Sequence, residues 1–123
     1  MKYLFDISNA FKKPIYLQLL EQGRKAILSG YLSPGEKLPT IRDIALELGI
    51  NHHTVAKAYQ KLESEGLIIM RQGKGAHVVT NIPESKKKEY IHKKLQEVTN
   101  EAKELNVNKK ELIEMLESCF DDE

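Results

Sequence analysis

Ala45 and Gly49, four residues apart, and Val55, six residues further on, constrain this chain more than any other feature. The run is Ile44-Ala45-x-x-Leu48-Gly49-Ile50-x-x-x-x-Val55. A small residue at 45 lets a second helix cross closely. Glycine at 49 lets the backbone turn sharply into dihedrals that other residues resist. A branched apolar residue at 55 anchors the second helix on the first. The spacing therefore predicts two helices joined by a tight turn. Thr40 can cap the first, with Asp43 near its positive dipole end. Asn51 can cap the second, which runs to about Glu65, with Gly66 at the left-handed exit position. Ile44, Leu48, Ile50, Ala58, Tyr59 and Leu62 complete the expected core. That leaves Asn51, His52, His53, Ala56, Lys57 and Lys61 facing outward.

The flanking segments extend the pattern. Residues 1–13 read as a short extended arm. From Pro14, a residue suited to a first helical turn, apolar positions recur at Ile15, Leu19, Ala26 and Ile27. Gly30 ends that helix, and Ser33-Pro34-Gly35-Glu36 reads as a turn. Beyond Gly66 come two β-prone runs, residues 67–70 and 76–79, separated by Arg71-Gln72-Gly73-Lys74-Gly75. The glycines of this tip permit a tight hairpin. The expected order is three helices and two strands: mainly α with a small β-hairpin, a winged helix-turn-helix. Pro83 divides the chain into residues 1–82 and 83–123.

In the second part, Ile91, Leu95, Val98, Ala102 and Leu105 are spaced 4, 3, 4 and 3, a narrow seam of the kind that packs on another helix. Asn106-Val107-Asn108 interrupts it, and Asn108 with Glu111 reads as a capping box. A last helix carries Leu112, Ile113, Leu116, Cys119 and Phe120 on its apolar side. The short turn implies an antiparallel helix pair, with Cys119 a small buried residue.

Several functions are disfavoured. The lone cysteine forms no internal disulfide, no run of 18 apolar residues exists, and the first residues lack a signal peptide's apolar stretch, so a cytoplasmic location without a membrane partner is expected. No nucleophile has a base at suggestive spacing, so neither an enzyme nor a cofactor is expected. The side chains of His52 and His53 point about 100° apart on a helix, and no second ligand cluster joins them, so no metal site is expected. Gly73-Lys74-Gly75 is too short for a phosphate loop. Net charge is only +1, but residues 1–83 hold 11 Lys/Arg against 7 Asp/Glu, and residues 84–123 hold 8 against 11. A basic front and an acidic back suit a front that meets an anion. The outward set of the second helix, small or polar, suits a DNA major groove. The hairpin would bring Arg71 and Lys74 to phosphates, with Gly73 and Gly75 allowing close approach. A helical bundle without ligand, an interaction scaffold, a small-molecule sensor and a non-specific architectural binder remain open on these residues alone.

The chain resembles the DNA-binding domain of the GntR family of bacterial transcription regulators. The resemblance rests on Pro14-Ile15-Tyr16-x-Gln18-Leu19 and Gly30-x-Leu32-x-Pro34-Gly35-Glu36-x-Leu38-Pro39-Thr40-x-Arg42. It continues through Ala45, Leu48, Gly49, Thr54-Val55, Ala58-Tyr59, Leu62-Glu63, Gly66-Leu67 and Gly73-Lys74-Gly75. It implies that Arg42 contacts a phosphate or guanine edge. It implies that Asn51, His52, His53 and Thr54 form the contacting turn of a recognition helix, with Lys57 reaching the backbone. Gln72, Gly73 and Lys74 match a wing tip laid toward the minor groove. His52, His77 and Ala76 depart from the family pattern. The first bears on base preference and on a pH-dependent affinity, the other two on wing packing. The short tail resembles that of the YtrA-like subfamily, which implies a homodimer joined through Ile91, Leu95, Val98, Ala102, Leu105, Leu112, Leu116 and Phe120. It further implies a repressor on a palindrome-like operator, often beside transporter genes. About 40 residues are too few to enclose an ordinary metabolite pocket, which leaves a small-molecule effector open.

Overall fold

A computed structural model describes residues 4–8 and 12–121 of the 123. The elements are α1 (Ile15–Leu28), α2 (Ile41–Leu48), α3 (His52–Ser64), β1 (Ile68–Arg71), β2 (Gly75–Val78), α4 (Glu84–Glu104) and α5 (Lys109–Asp121). The chain divides into two compact units, Met1–Pro83 and Glu84–Glu123.

The first unit is built around α3, which packs on α1, α2 and β1. Val55, Ala58, Tyr59 and Leu62 repeat at helical spacing, and all four are buried. They meet Leu19, Leu20 and Ile27 of α1 and Ile44 and Ala45 of α2 in one core. Gly23 lies where α1 crosses α3: a Cβ there would stand 2.9 Å from Leu62 Cδ1. Arg24 of α1 closes the same crossing with two bonds to the carboxylate of Glu65, at 2.7 and 2.6 Å.

The turn between α2 and α3 has a local cause at each end. Thr40 Oγ1 accepts the Asp43 N–H at 3.0 Å, and Asn51 Oδ1 accepts the His53 N–H at 2.8 Å. Gly49 ends α2 at φ 65°, ψ 38°, and the next amide, of Ile50, donates to Ala45 O. Leaving α3, the Leu67 N–H donates to Leu62 O.

The wing is an antiparallel pair running from Ile68 opposite Val78 to Arg71 opposite Gly75. Both strands are displaced one residue toward the tip relative to the apolar runs. Leu67 closes the α3 exit, and Val79 adds one more bond, to Leu67 O, beyond the regular ladder. Residues 35–38 run along the other side of β2: Gly35 N donates to Val78 O, Val78 N to Glu36 O, and Leu38 N to Ala76 O. The hairpin is thus held on both flanks.

Of the arm expected over residues 1–13, residues 1–3 and 9–11 lie outside the described residues; the described part is more than an extended lead-in. Leu4 and Phe5 are buried in the core. The amide of Gln22 both accepts from Asp6 N and donates to Asp6 O, and that of Gln18 does the same with Ser8. Two glutamines one turn apart on α1 thus hold the arm in the manner of a strand. Pro14 stands before α1 as its N-cap residue, rather than inside its first turn.

The second unit comprises α4, a corner and α5. The capping box is present: Glu111 N donates to Asn108 Oδ1 at 2.9 Å, and Asn108 N donates to Glu111 Oε1 at 3.3 Å. At the corner Asn106 takes φ 61°, and Val107 N donates to Ala102 O. The short turn reads as an antiparallel helix pair; α4 and α5 join at the corner but do not pack closely along their lengths. Ala102 is the one buried residue of α4, and α5 has none among those described. Cys119, expected inside, is exposed, in keeping with an α5 that buries none of its described residues.

Candidate nucleic-acid interface

The cap at Asn51 fixes how α3 starts and so where its first turn points. Because Val55, Ala58, Tyr59 and Leu62 face inward, the opposite side of α3 is solvent-facing. Asn51, His52, His53 and Lys57 are exposed, while Thr54 is half-buried and its amide is engaged by Asn51 O. Ala56, expected outward, is half-buried as well. The rings of His52 and His53 lie 4.1 Å apart, centroid to centroid, tilted by 34°. No group of three or more His, Cys, Asp or Glu suited to a metal occurs among the described residues.

Arg42 sits on the first turn of α2 and is exposed. Neither Asp43 nor Glu47, its neighbours in sequence, forms an ion pair with it. A cation at a helix N-terminus without a carboxylate is unfavourably placed and free to meet an external anion. Arg42 and His52 line one open hollow of about 640 Å³, with Ile41, Ala45, Leu46 and Ile50. A second hollow of about 330 Å³ continues from Thr40 and Ile41 to Arg71, Gln72 and Gly73 of the wing. The start of α2, the start of α3 and the tip end of the wing therefore share one open face. Arg71, Gln72, Gly73 and Lys74 are all exposed, and Lys74 N closes the tip on Arg71 O.

Supporting contacts hold this face. The Tyr59 hydroxyl donates to Pro39 O at 2.6 Å, which fixes the segment entering α2. Burial pushes the Tyr59 phenol well above its usual range, so it remains a neutral donor. Glu63 Oε2 accepts the Met70 N–H at 2.7 Å and ties the wing to α3.

Sequence reasoning missed three of these features. Lys57 does not extend freely: its ammonium lies 4.6 Å from the centre of the Tyr16 ring on α1. Leu46, on the same side of α2 as Arg42, is exposed. The Glu63 bridge to Met70 was also unforeseen. Only the i, i+4 spacing of Arg42 and Leu46 carried any advance signal; the other two contacts join elements whose packing a linear pattern does not give.

Residues 15–78 match the sequence model of the gntR family of bacterial regulatory proteins. The chain belongs to that family. It is a DNA-binding transcription regulator with a winged helix-turn-helix, in a family of regulators rather than enzymes. The regulator is 37% identical over 78 residues to the HTH-type transcriptional repressor YtrA of Bacillus subtilis, a match covering 63% of this chain and 60% of that protein. It thus spans about 60% of the length of that relative. A GntR family transcriptional regulator from Listeria monocytogenes superposes with a TM-score of 0.77 at 27% identity, covering 93% of this chain and 98% of that one. The DNA-binding domain of AraR in complex with operator ORR3 superposes with a TM-score of 0.51 at 35% identity, covering 54% and 80%.

Among the described residues, no helix of the regulator is long and apolar enough to cross a membrane.

Proposed function

We propose that this regulator is a cytoplasmic repressor that binds a specific, palindrome-like operator as a homodimer. The observation that carries the reading is the single open face on which Arg42, Asn51, His52, His53 and the wing tip lie. In this reading α3 enters the major groove, where Asn51, His52 and His53 meet base edges. Thr54 and Lys57 contact the sugar-phosphate backbone, Arg42 binds a phosphate or a guanine edge, and Arg71, Gln72, Gly73 and Lys74 lie along the neighbouring groove.

The dimer reading is supported by α4 and α5. Ile91, Leu95, Val98 and Leu105 are exposed, as are Leu116 and Phe120, and Leu112 is half-buried. So much apolar surface on two adjacent helices fits a second copy. Ala102 is already spent on the corner of its own chain. Two wings related by a two-fold axis would read two half-sites of opposite orientation. Similarity to the Bacillus subtilis repressor YtrA supports repression, and the YtrA-like resemblance makes transporter operons the first targets to examine.

Footprinting on the DNA upstream of the regulator's own gene, with sedimentation of the free protein, tests this reading. Protection of two related half-sites by a dimer is expected. Uniform protection without sequence preference, or one half-site bound by a monomer, would overturn it.

A further inference from the structure

The charge of the chain does not divide where its two units divide. Residues 84–94 hold five lysines against two glutamates, whereas residues 95–121 hold three lysines against seven carboxylates. The acidic balance of the second unit conceals a basic opening. At about 100° per residue, Lys86, Tyr90, Lys93 and Lys94 share one stripe of α4. The apolar seam through Ile91, Leu95 and Val98 is centred about 120° away, with Lys94 at its edge. Further along the basic stripe the sign reverses, at Glu97, Glu101 and Glu104.

The stripe is poorly neutralised from within. Lys86 Nζ is 4.0 Å from Glu89, at the outer limit of an ion pair, and the neighbouring Lys87 is 3.6 Å from Glu84. Exposed pairs of this spacing are weak. Lys93 has no acidic partner among the described residues, and Lys94 lies 5.3 Å from the Tyr90 ring centre. Lys93 and Lys94 are exposed, and Lys86 is about one-third exposed (35%). Clustered lysines interleaved with an aromatic ring suit a polyanion. The duplex held by the wing is the polyanion at hand, since only residues 79–83 separate β2 from α4. A second copy seated on the apolar seam would leave Lys86 and Lys93 open and Lys94 at the rim of the contact.

We infer that Lys86, Lys93 and Lys94 form a phosphate-binding stripe that grips DNA flanking the operator half-site, beyond the base pairs read by α3. The inference rests on the operator reading proposed above. Its test is the full-length triple variant Lys86→Gln, Lys93→Gln, Lys94→Gln, which keeps helix propensity. Binding is measured on a duplex trimmed to the footprint, and on one extended by about one helical turn at each end. A loss of about tenfold on the extended duplex is expected, with the salt dependence shallower by about 1 or more. On the trimmed duplex the two proteins should agree within about twofold, and the triple arginine variant should bind like the parent. Equal losses on both duplexes, or no loss on either, would overturn the stripe. So would loss of the dimer in sedimentation, which would assign the lysines to the acidic α5 of a second copy. If the parent itself shows no operator preference, the proposed function fails and the stripe with it; a parent that binds selectively while the variant matches it sinks the stripe alone.

Discussion

Leu62 and Leu95 are both leucines on the apolar side of an amphipathic helix, yet Leu62 is fully buried and Leu95 is 45% exposed. The difference lies in what surrounds each helix. The α3 helix has α1, α2 and β1 packed on it, and polar contacts of Arg24 with Glu65, Tyr59 with Pro39 and Met70 with Glu63 tie these segments together. Among the described residues α4 buries only Ala102, at the corner, and α5 does not pack closely along it. Two helices with almost nothing buried have little to set against the conformational entropy of ordering their residues. The first unit satisfies its apolar surface within one chain. The second presents its apolar surface outward, as expected of a segment completed by a partner.

The sharpest way to break this contrast is Leu95→Asp. In the proposed dimer the substitution buries two carboxylates per interface, so sedimentation should show monomers at micromolar concentration. Operator affinity should fall with it, while the first unit keeps its unfolding transition. A dimer that survives would show that the exposed seam is not the interface. The converse substitution is Leu62→Ala, which should destabilise the first unit by about 2–5 kcal/mol through cavity formation and leave association through α4 and α5 intact. Denaturant unfolding reads this directly. Gly23→Ala sharpens the test: its new Cβ would meet Leu62 Cδ1 at 2.9 Å in the parent, so it should cost less in the Leu62→Ala background.

The same contrast explains what the sequence disclosed. Within the first unit, Thr40, Gly49 and Asn51 act on residues a few positions away, so caps and turn could be read directly from residue type. The periodicity of α3 gave its buried face, and by subtraction its open one. Contacts that depend on how elements pack stayed hidden. Gln18 and Gln22 look like solvated helix residues until the arm is laid beside them, and Lys57 looks like a free cation until α1 brings up Tyr16. In the second unit the capping box at Asn108 and Glu111 was legible because it is local. Apolar spacing announced a seam, but could not say whether α5 or another chain would cover it.

A smaller effect is expected from Arg42→Ala. Arg42 is exposed and has no carboxylate partner among the described residues, so folding stability should change little. Operator binding should weaken by about 1–3 kcal/mol, with a shallower salt dependence if the contact is to phosphate and relaxed base preference if it is to guanine. Unchanged affinity would remove Arg42 from the interface and leave the open face without its strongest cation.

The smallest expected effect compares two lysine–tyrosine contacts, one from each unit. Lys57 of α3 lies 4.6 Å from the Tyr16 ring on α1, whereas Lys94 lies 5.3 Å from Tyr90 one turn away on the same helix. The first joins two packed helices, so both partners are already ordered when it forms. The second must order exposed side chains on a helix with few other contacts. Double-mutant cycles using Gln for the lysines and Leu for the tyrosines should therefore give a coupling of about 0.5–1 kcal/mol for Lys57 with Tyr16. For Lys94 with Tyr90 the coupling should be no more than about 0.2–0.5 kcal/mol. Equal couplings would mean that packing in the first unit lends no extra order to the basic side chains it presents. The difference between the units would then be confined to their apolar surfaces.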